Sequence, residues 1–558
     1  MSSILTPISL WSNFDASLDC QPVTKFSVVS QGIKIERVNF LGRETGNGRV
    51  QIAAAFACDE QCPALETVLI FPDSTDTIDE ELLKTFVKRG FSALMVDYRG
   101  QWEGNSFHTY YPENIEYANT AKCGRYKDFV DESADKTCWY EWTAVGIYAR
   151  KYIIERTGSD NIAVVGLRDG GEIAWKLGVA TNFSCIIPVC AAGWKAYEGK
   201  SKYLSEEVKF DDERYRFIAG IDSQAYAPYV KCPVLMLCST NDTRFDYDRA
   251  YDTFSRINSE YLNESTIAYS VHYSSSIGIK SVTDMFMFLD KNLKNRQVFI
   301  PKPAVVTVEV DEDSNLIARA NFDAQGEVDE CKVFLSEDCL DPAMRDWLVC
   351  PPKTEEADGE QKFYLNVFEK TTTIFVVCYV KYSNGFTVWS KIVAKKMSGK
   401  FRNMVSRCRV LYCNEMGKEG FSVADPQKNA LGGIFFIDDT QLPCVVEKAK
   451  GINGLYCNAG LATFRMNNPR FAPESGNALS VDLYCDETAE VKLSLLDLSS
   501  GQEYKNVVKV VGGVWQTVIS EAKLFKTDGG VQLEEFSSGM KLQITCKTPY
   551  AINNAMWL

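Results

Sequence analysis

Apolar residues fall in short unbroken blocks over the first 300 positions and in alternation with polar ones thereafter. The blocks at 67–72, 92–96, 184–190, 233–238 and 265–271, and another opening at Ile162, are too short for helices. Runs of this kind suit strands buried on both faces of a parallel sheet. Between them lie segments with helical spacing. The stretch 79–89 ends at Gly90 as a C-terminal cap, 139–156 places Trp139, Trp142, Val145, Ala149, Tyr152 and Ile153 on one face and stops near Gly158, and 280–293 is amphipathic. Two strand-like segments, 26–39 and 49–57, flank the turn-rich 42–48 and predict an opening hairpin. The alternation from 67 to 293 predicts a doubly wound, mostly parallel sheet with right-handed crossovers.

Pro301-Lys302-Pro303 marks a change of period from 3.6 to 2. Short alternating strands then follow to about 397, enough for an immunoglobulin-like β-sandwich. After Ser398-Gly399-Lys400 a second all-β stretch runs to Leu558, for which a jelly roll is expected. The predicted domains are therefore 1–298, 301–398 and 400–558.

Bulk composition narrows the function classes. The chain is 46% hydrophobic and 24% charged, as in ordinary globular proteins, and carries a formal net charge of -14 with no dense Lys/Arg run. That charge repels phosphate backbones and anionic bilayers, so neither nucleic acid nor membrane is expected as a partner. The cysteines number 19, an odd count, with several in apparent core strands, which points to reduced buried thiols. Cys58 and Cys62 have no second pair or His cluster to complete a zinc site, so no metal or other cofactor is expected. The start of the chain lacks a basic opening and a long apolar run, and a cytoplasmic location is expected. Acidic runs at 128–135 and 206–213 lack calcium-loop spacing and are taken as solvated faces.

The segment Ile162 to Trp175 contains Gly166-Leu167-Arg168-Asp169-Gly170-Gly171, a strand, a glycine-flanked turn and a helix start. This is the shape of a nucleophile elbow, in which small residues let helix and strand approach closely. With Asp169 taken as the central residue, the usual serine is missing. A second motif, Gly90-Phe91-Ser92-Ala93-Leu94-Met95-Val96-Asp97-Tyr98-Arg99-Gly100-Gln101, lies earlier in the chain and spans the predicted strand 92–96 that follows the helix 79–89. Together the two motifs resemble the α/β-hydrolase superfamily, and within it the acetyl xylan esterases and dienelactone-hydrolase-like proteins, over about half the chain.

The resemblance implies the chain order nucleophile, acid, histidine. Asp169 would take the first place, Asp242 after the block at 233–238 the second, and His272 the third. His108 is the other histidine. The oxyanion region would be formed by Asp73 and Gly170, although Phe71-Pro72-Asp73 replaces the usual His-Gly, and a proline offers no amide donor.

Three mechanisms stay open. An esterase-like enzyme acting on acyl esters or acylated carbohydrates would need another nucleophile, with Ser74, Ser106 and Ser275 on cleft-side loops. A carboxylate nucleophile at Asp169 would act on alkyl halides or epoxides. A lapsed triad would leave a protein that binds a ligand or partner without turnover, and there Asp169 would cap the elbow helix. The expected ligand is a small-molecule ester or carbohydrate, with a homo-oligomer allowed. The C-terminal stretch weakly resembles a carbohydrate-binding jelly roll, with Trp515 and Trp557 as the sugar-stacking candidates.

Overall fold

The computed structural model describes residues 4–203, 208–273, 277–357, 359–423, 436–437, 444–457 and 460–558. Its first half is organised by a sheet of nine strands. In chain order these are β1 (Val23–Ser30), β2 (Ile33–Glu44), β3 (Arg49–Asp59), β4 (Thr67–Phe71), β5 (Ser92–Asp97), β6 (Ile162–Leu167), β7 (Cys185–Val189), β8 (Leu235–Ser239) and β9 (Thr266–Ser270). Their order across the sheet is β1-β2-β3-β5-β4-β6-β7-β8-β9. The first three and the β3–β5 pair are antiparallel, and the rest are parallel.

An antiparallel meander leading into a parallel sheet that swaps β4 and β5 is the α/β-hydrolase fold. The blocks read as buried strands are buried at every position in β4, β5 and β6. Helices cover both faces. Cys138–Thr157 and Asp169–Ala180 pack together on one, while Glu80–Lys88 and Ile279–Lys294 meet on the other through Phe86 and Phe286, 5.4 Å apart. No helix among the described residues is long and apolar enough to cross a membrane.

The stretch 26–39, expected to be one strand, is broken by a tight turn at Gln31-Gly32. Both residues have positive φ, 53° and 74°, so the opening element is a three-stranded meander. Gln-Gly lacks the Asn or Asp that usually advertises such a turn, which is why alternation alone ran through it.

Two glycines set how closely the elbow helix approaches the sheet. A Cβ on Gly166 would lie 2.1 Å from the Gly170 carbonyl oxygen, and one on Gly170 would lie 2.3 Å from that of Phe71. Both neighbours are backbone, so neither can swing aside. Gly170→Ala is expected to lower stability by about 2–3 kcal/mol in urea denaturation; a loss below about 0.5 kcal/mol, the range of ordinary surface changes, would contradict this close packing.

The described residues of the second half lie mainly in antiparallel sheets; Phe436–Ile437 instead pairs in parallel with Ile277–Gly278 of the first half. A four-stranded sheet including Val305–Val310 and Leu316–Asn321 faces a five-stranded one including Val328–Glu337 and Thr373–Tyr382. Ala318, Val333, Phe363 and Val376 fill the space between them. Beyond residue 400, a six-stranded sheet and a five-stranded sheet enclose a separate core containing Leu483, Leu493, Leu542 and Ile552. Buried cysteines such as Cys185, Cys238 and Cys350 are free thiols.

The first sandwich is docked on the hydrolase-like half by rings and by buried charge. Trp389 meets Tyr269 at 5.5 Å, and Trp347 meets Tyr247 at 6.0 Å. Arg345 and Asp248 form an ion pair across this joint, with both side chains fully buried. Asp284 accepts the Thr387 backbone N–H at 2.8 Å, and burial pushes its carboxyl up to about 8.

Candidate active-site cleft

The C-terminal ends of β4, β6 and β8 converge where open α/β sheets place their ligands. At the end of β6 the residue in the strained turn conformation is Arg168, with φ 51° and ψ −110°, and the helix begins at Asp169. The assignment of Asp169 to the nucleophile place is therefore corrected by one residue. The two glycines that must approach closely are Gly166 and Gly170, and the position midway between them is 168.

Arg168 at the tip is already engaged. Its Nη1 lies 3.1 Å from Oδ2 of Asp73, the residue following Pro72 at the end of β4. Asp73 is fully buried and also receives Nη1 of Arg244 at 2.9 Å and the Thr75 hydroxyl at 2.9 Å. A carboxylate thus stands in the expected oxyanion region, tied to the residue at the elbow tip. Gly170, the other oxyanion candidate, packs against the Phe71 and Pro72 carbonyls.

Asp169 sits on the first turn of its helix, where the dipole favours its charge. It is 2% exposed, with Lys127 Nζ at 2.6 Å from Oδ2, Lys195 Nζ at 2.9 Å from Oδ1, and Arg244 Nη2 at 3.6 Å. Ser74 donates its hydroxyl to Oδ2 and accepts from Lys127 at 2.9 Å. Burial alone would raise this carboxyl, but Lys195 and Lys127 outweigh it and hold the group well below the usual carboxylate range. Burial likewise works against the charge on Lys195, yet Asp169 and Glu172 keep it above the usual lysine range. Such a carboxylate is a permanent counter-ion with both oxygens in use.

Asp242 lies at the end of β8 as expected from chain order. Its Oδ1 accepts the backbone N–H groups of Arg244 at 2.8 Å and Phe245 at 3.1 Å, so it organises the loop that carries Arg244. His272 follows β9, also as expected, but its ring is committed elsewhere. Nε2 accepts the Trp347 backbone N–H at 2.9 Å, and the ring stacks on Phe464 at 5.7 Å. Burial, helped by Arg465, lowers its pKa to about 4, so it is neutral at pH 7 with the proton on Nδ1. The structure brings Asp73, Asp169 and Arg168 together through shared partners and turns His272 toward the sandwiches.

Among the other candidates, Ser74 belongs to the Asp169 cluster, Ser106 is exposed, and Ser275 lies outside the described residues. His108 holds the Asn105 carbonyl through Nδ1 at 2.9 Å. Trp557 is corrected from a sugar platform to a core residue. It is 1% exposed and donates to the Phe471 carbonyl at 2.8 Å, because the final strand lies inside its sheet and not at the edge. Trp515 is half-buried over Gly454, with its indole N–H on the Ala449 carbonyl at 3.0 Å.

Lys127, Lys195 and Arg244 were not anticipated. They come from the long loop after β5, the turn after β7 and the loop after β8, and no local periodicity marks them. Arg168 did carry a signal in the Gly166 to Gly170 spacing. Outside the cluster opens a cavity of about 540 Å³, lined by Lys127, Trp194, Lys195, Tyr197, Asp242 and Arg244 among others.

No protein-family model matches the chain, and no curated protein sequence does. Solved structures similar to it include an acetyl xylan esterase from a Paenibacillus species, at 15% identity over 51% of this chain and 92% of that one, with a TM-score of 0.40. Another is acetyl xylan esterase 1 from a Thermoanaerobacterium species, at 16% identity over 49% of this chain and 89% of that one, with a TM-score of 0.37. An esterase from Pyrococcus furiosus is 12% identical over 46% of this chain and 93% of that one, with a TM-score of 0.32. Likeness at this level says nothing of chemistry.

Proposed function

We propose that this chain is a hydrolase-fold protein that binds a neutral polar small molecule, a sugar or an acylated sugar, in the 540 Å³ cleft without hydrolysing it. The observation that carries this is Arg168 at the elbow tip, ion-paired to Asp73. A guanidinium is no nucleophile, and a carboxylate in the oxyanion region opposes the charge that acyl transfer develops. His272 does not stand ready as base, since its Nε2 is taken by Trp347. The carboxylate-nucleophile mechanism finds no support either, because Asp169 is off the tip and its oxygens are held by cations.

The ligand class follows from the lining. Lys127, Lys195 and Arg244 are offset by Asp128, Asp242 and Asp246, while Trp194 and Tyr197 offer rings. Balanced charge with aromatic walls favours a hydroxylated ligand over an ion.

The wild type is expected to release no acetate from p-nitrophenyl acetate or acetylated xylo-oligosaccharides above the buffer rate. Arg168→Ser is expected to be equally inert, because Asp73 and the orientation of His272 persist. Calorimetric titration with neutral oligosaccharides and their acetyl esters should give heat that Trp194→Ala removes. Wild-type turnover abolished by Asp242→Asn would overturn the non-hydrolytic reading, and absence of heat across the panel would remove the ligand assignment.

A further inference from the structure

A larger cavity, of about 860 Å³, lies away from the elbow cluster, where the loop after β9 meets both sandwiches. His272 and Tyr273 come from that loop, Phe334, Trp347 and Tyr364 from the first sandwich, and Phe421, Arg465, Arg470 and Phe471 from beyond residue 400. The volume is that of an ordinary small-molecule site.

Its charge is unlike that of the cleft. Among the described lining residues, Lys280, Lys332, Lys418, Arg465 and Arg470 stand against Asp346 and Glu419. Lys280 and Lys332 are matched by Glu330 at 3.6 and 2.7 Å. Arg465 has no such match among the described residues; it is 6% exposed and built into place. Its Nη1 donates to the Leu411 carbonyl at 2.5 Å, its plane lies 5.0 Å from the Phe471 ring, and Gly420 covers it so closely that a Cβ would be 3.0 Å from Cζ. Arg470 flanks the same ring at 5.1 Å.

Polar atoms here are poorly partnered. The Nε groups of Arg465 and Arg470, the indole Nε1 of Trp347 and Oδ2 of Asp346 are buried without a well-formed hydrogen bond, Asp346 having the Asn468 side chain and Arg465 as its polar neighbours; Trp347 and Asp346 are only 3% and 2% exposed. Orphaned buried donors and acceptors each cost stability, and four around one cavity mark a place where something else completes them. The set contains donors on cationic side chains, a neutral donor beside rings, and a carboxylate acceptor. We infer that the cavity binds a hydroxylated organic phosphate, a sugar phosphate or a nucleotide, with the phosphate on Arg465 and Arg470, a hydroxyl on Asp346 and the ring against the aromatic wall. Two guanidinium groups suit the planar, bidentate recognition of phosphate oxygens.

This inference does not rest on the cleft reading. The test is calorimetric titration of the full chain with AMP and with glucose 6-phosphate, using adenosine, glucose and inorganic phosphate as partial ligands. At least one ester is expected to bind once per chain, and more tightly than any partial ligand. Arg465→Met and Arg470→Met should each weaken binding by at least roughly tenfold. Arg470 is only partly buried, so its variant remains informative if Arg465→Met fails to fold. Lys122→Met, at an exposed surface lysine, should leave the affinity unchanged. Absence of binding by both esters, full affinity in the arginine variants, equal affinity for inorganic phosphate, or loss in Lys122→Met would each overturn the assignment.

Discussion

Asp169→Asn is expected to destabilise the hydrolase-like half by about 3 kcal/mol in urea denaturation, toward the low end of the penalty for breaking a buried ion pair. The carboxylate is the common partner of Lys127, Lys195 and Arg244, and its removal leaves three cations facing one another across a few ångströms. The lysines retain some access to water, with side chains 23% and 20% exposed, which keeps the cost below the extreme. Lys195→Met should cost less, since Asp169 keeps Lys127 and Arg244. The effect also has a pH signature. Because the folded carboxyl lies below its unfolded value of 3.8, its contribution is complete above that value and is lost as pH falls beneath it toward the folded value. The wild type and Asp169→Asn should therefore converge in stability below about pH 3.8 and stay separated at neutral pH. A loss under 1 kcal/mol at pH 7, or a difference that does not shrink in acid, would show that the cluster does not hold the elbow together.

Arg345→Ala is the second large effect, expected at about 3–5 kcal/mol, because it strands Asp248 without charge or solvent. Both side chains are fully buried, with Nη2 2.8 Å from Oδ2 and the second pair formed by Nη1 and Oδ1. Arg345 also donates Nε to the Cys339 carbonyl at 2.8 Å and lies 3.8 Å over the Phe375 ring. The pair joins the helix Tyr247–Phe254 to the first sandwich, so its loss should loosen the joint as well as lower the midpoint. Limited proteolysis should then cut sooner in 296–303 in the variant than in the wild type. Asp248→Asn combined with Arg345→Met removes both charges and should recover part of the loss, since the expense of a broken pair lies in the charge left behind. A double variant no better than Arg345→Ala would mean that Arg345 acts by packing on Phe375 and not by charge.

What was legible in the sequence was what local burial writes into it. The blocks at 67–72 and 92–96 became β4 and β5 because a strand covered on both faces must be apolar at consecutive positions. The alternation that begins after Pro301 likewise marks the strands Val305–Val310 and Leu316–Asn321, which belong to an antiparallel sheet. The elbow was visible because Gly166 and Gly170 permit a backbone approach that no other residue allows. Gln31-Gly32 escaped notice because a tight turn inside an alternating stretch leaves the alternation intact. Only the tertiary structure decided which side chains meet at the elbow. Arg168, and not Asp169, stands at the tip, and its carboxylate partner Asp73 is shared with Arg244, 171 residues further along the chain. Lys127 and Lys195 reach Asp169 from separate loops, and His272 is turned away by a backbone N–H of Trp347, 75 residues on. Side-chain period records which face of an element is buried, whereas an ion pair between distant loops depends on where the strands deliver them, so it leaves no mark in the order of neighbouring residues.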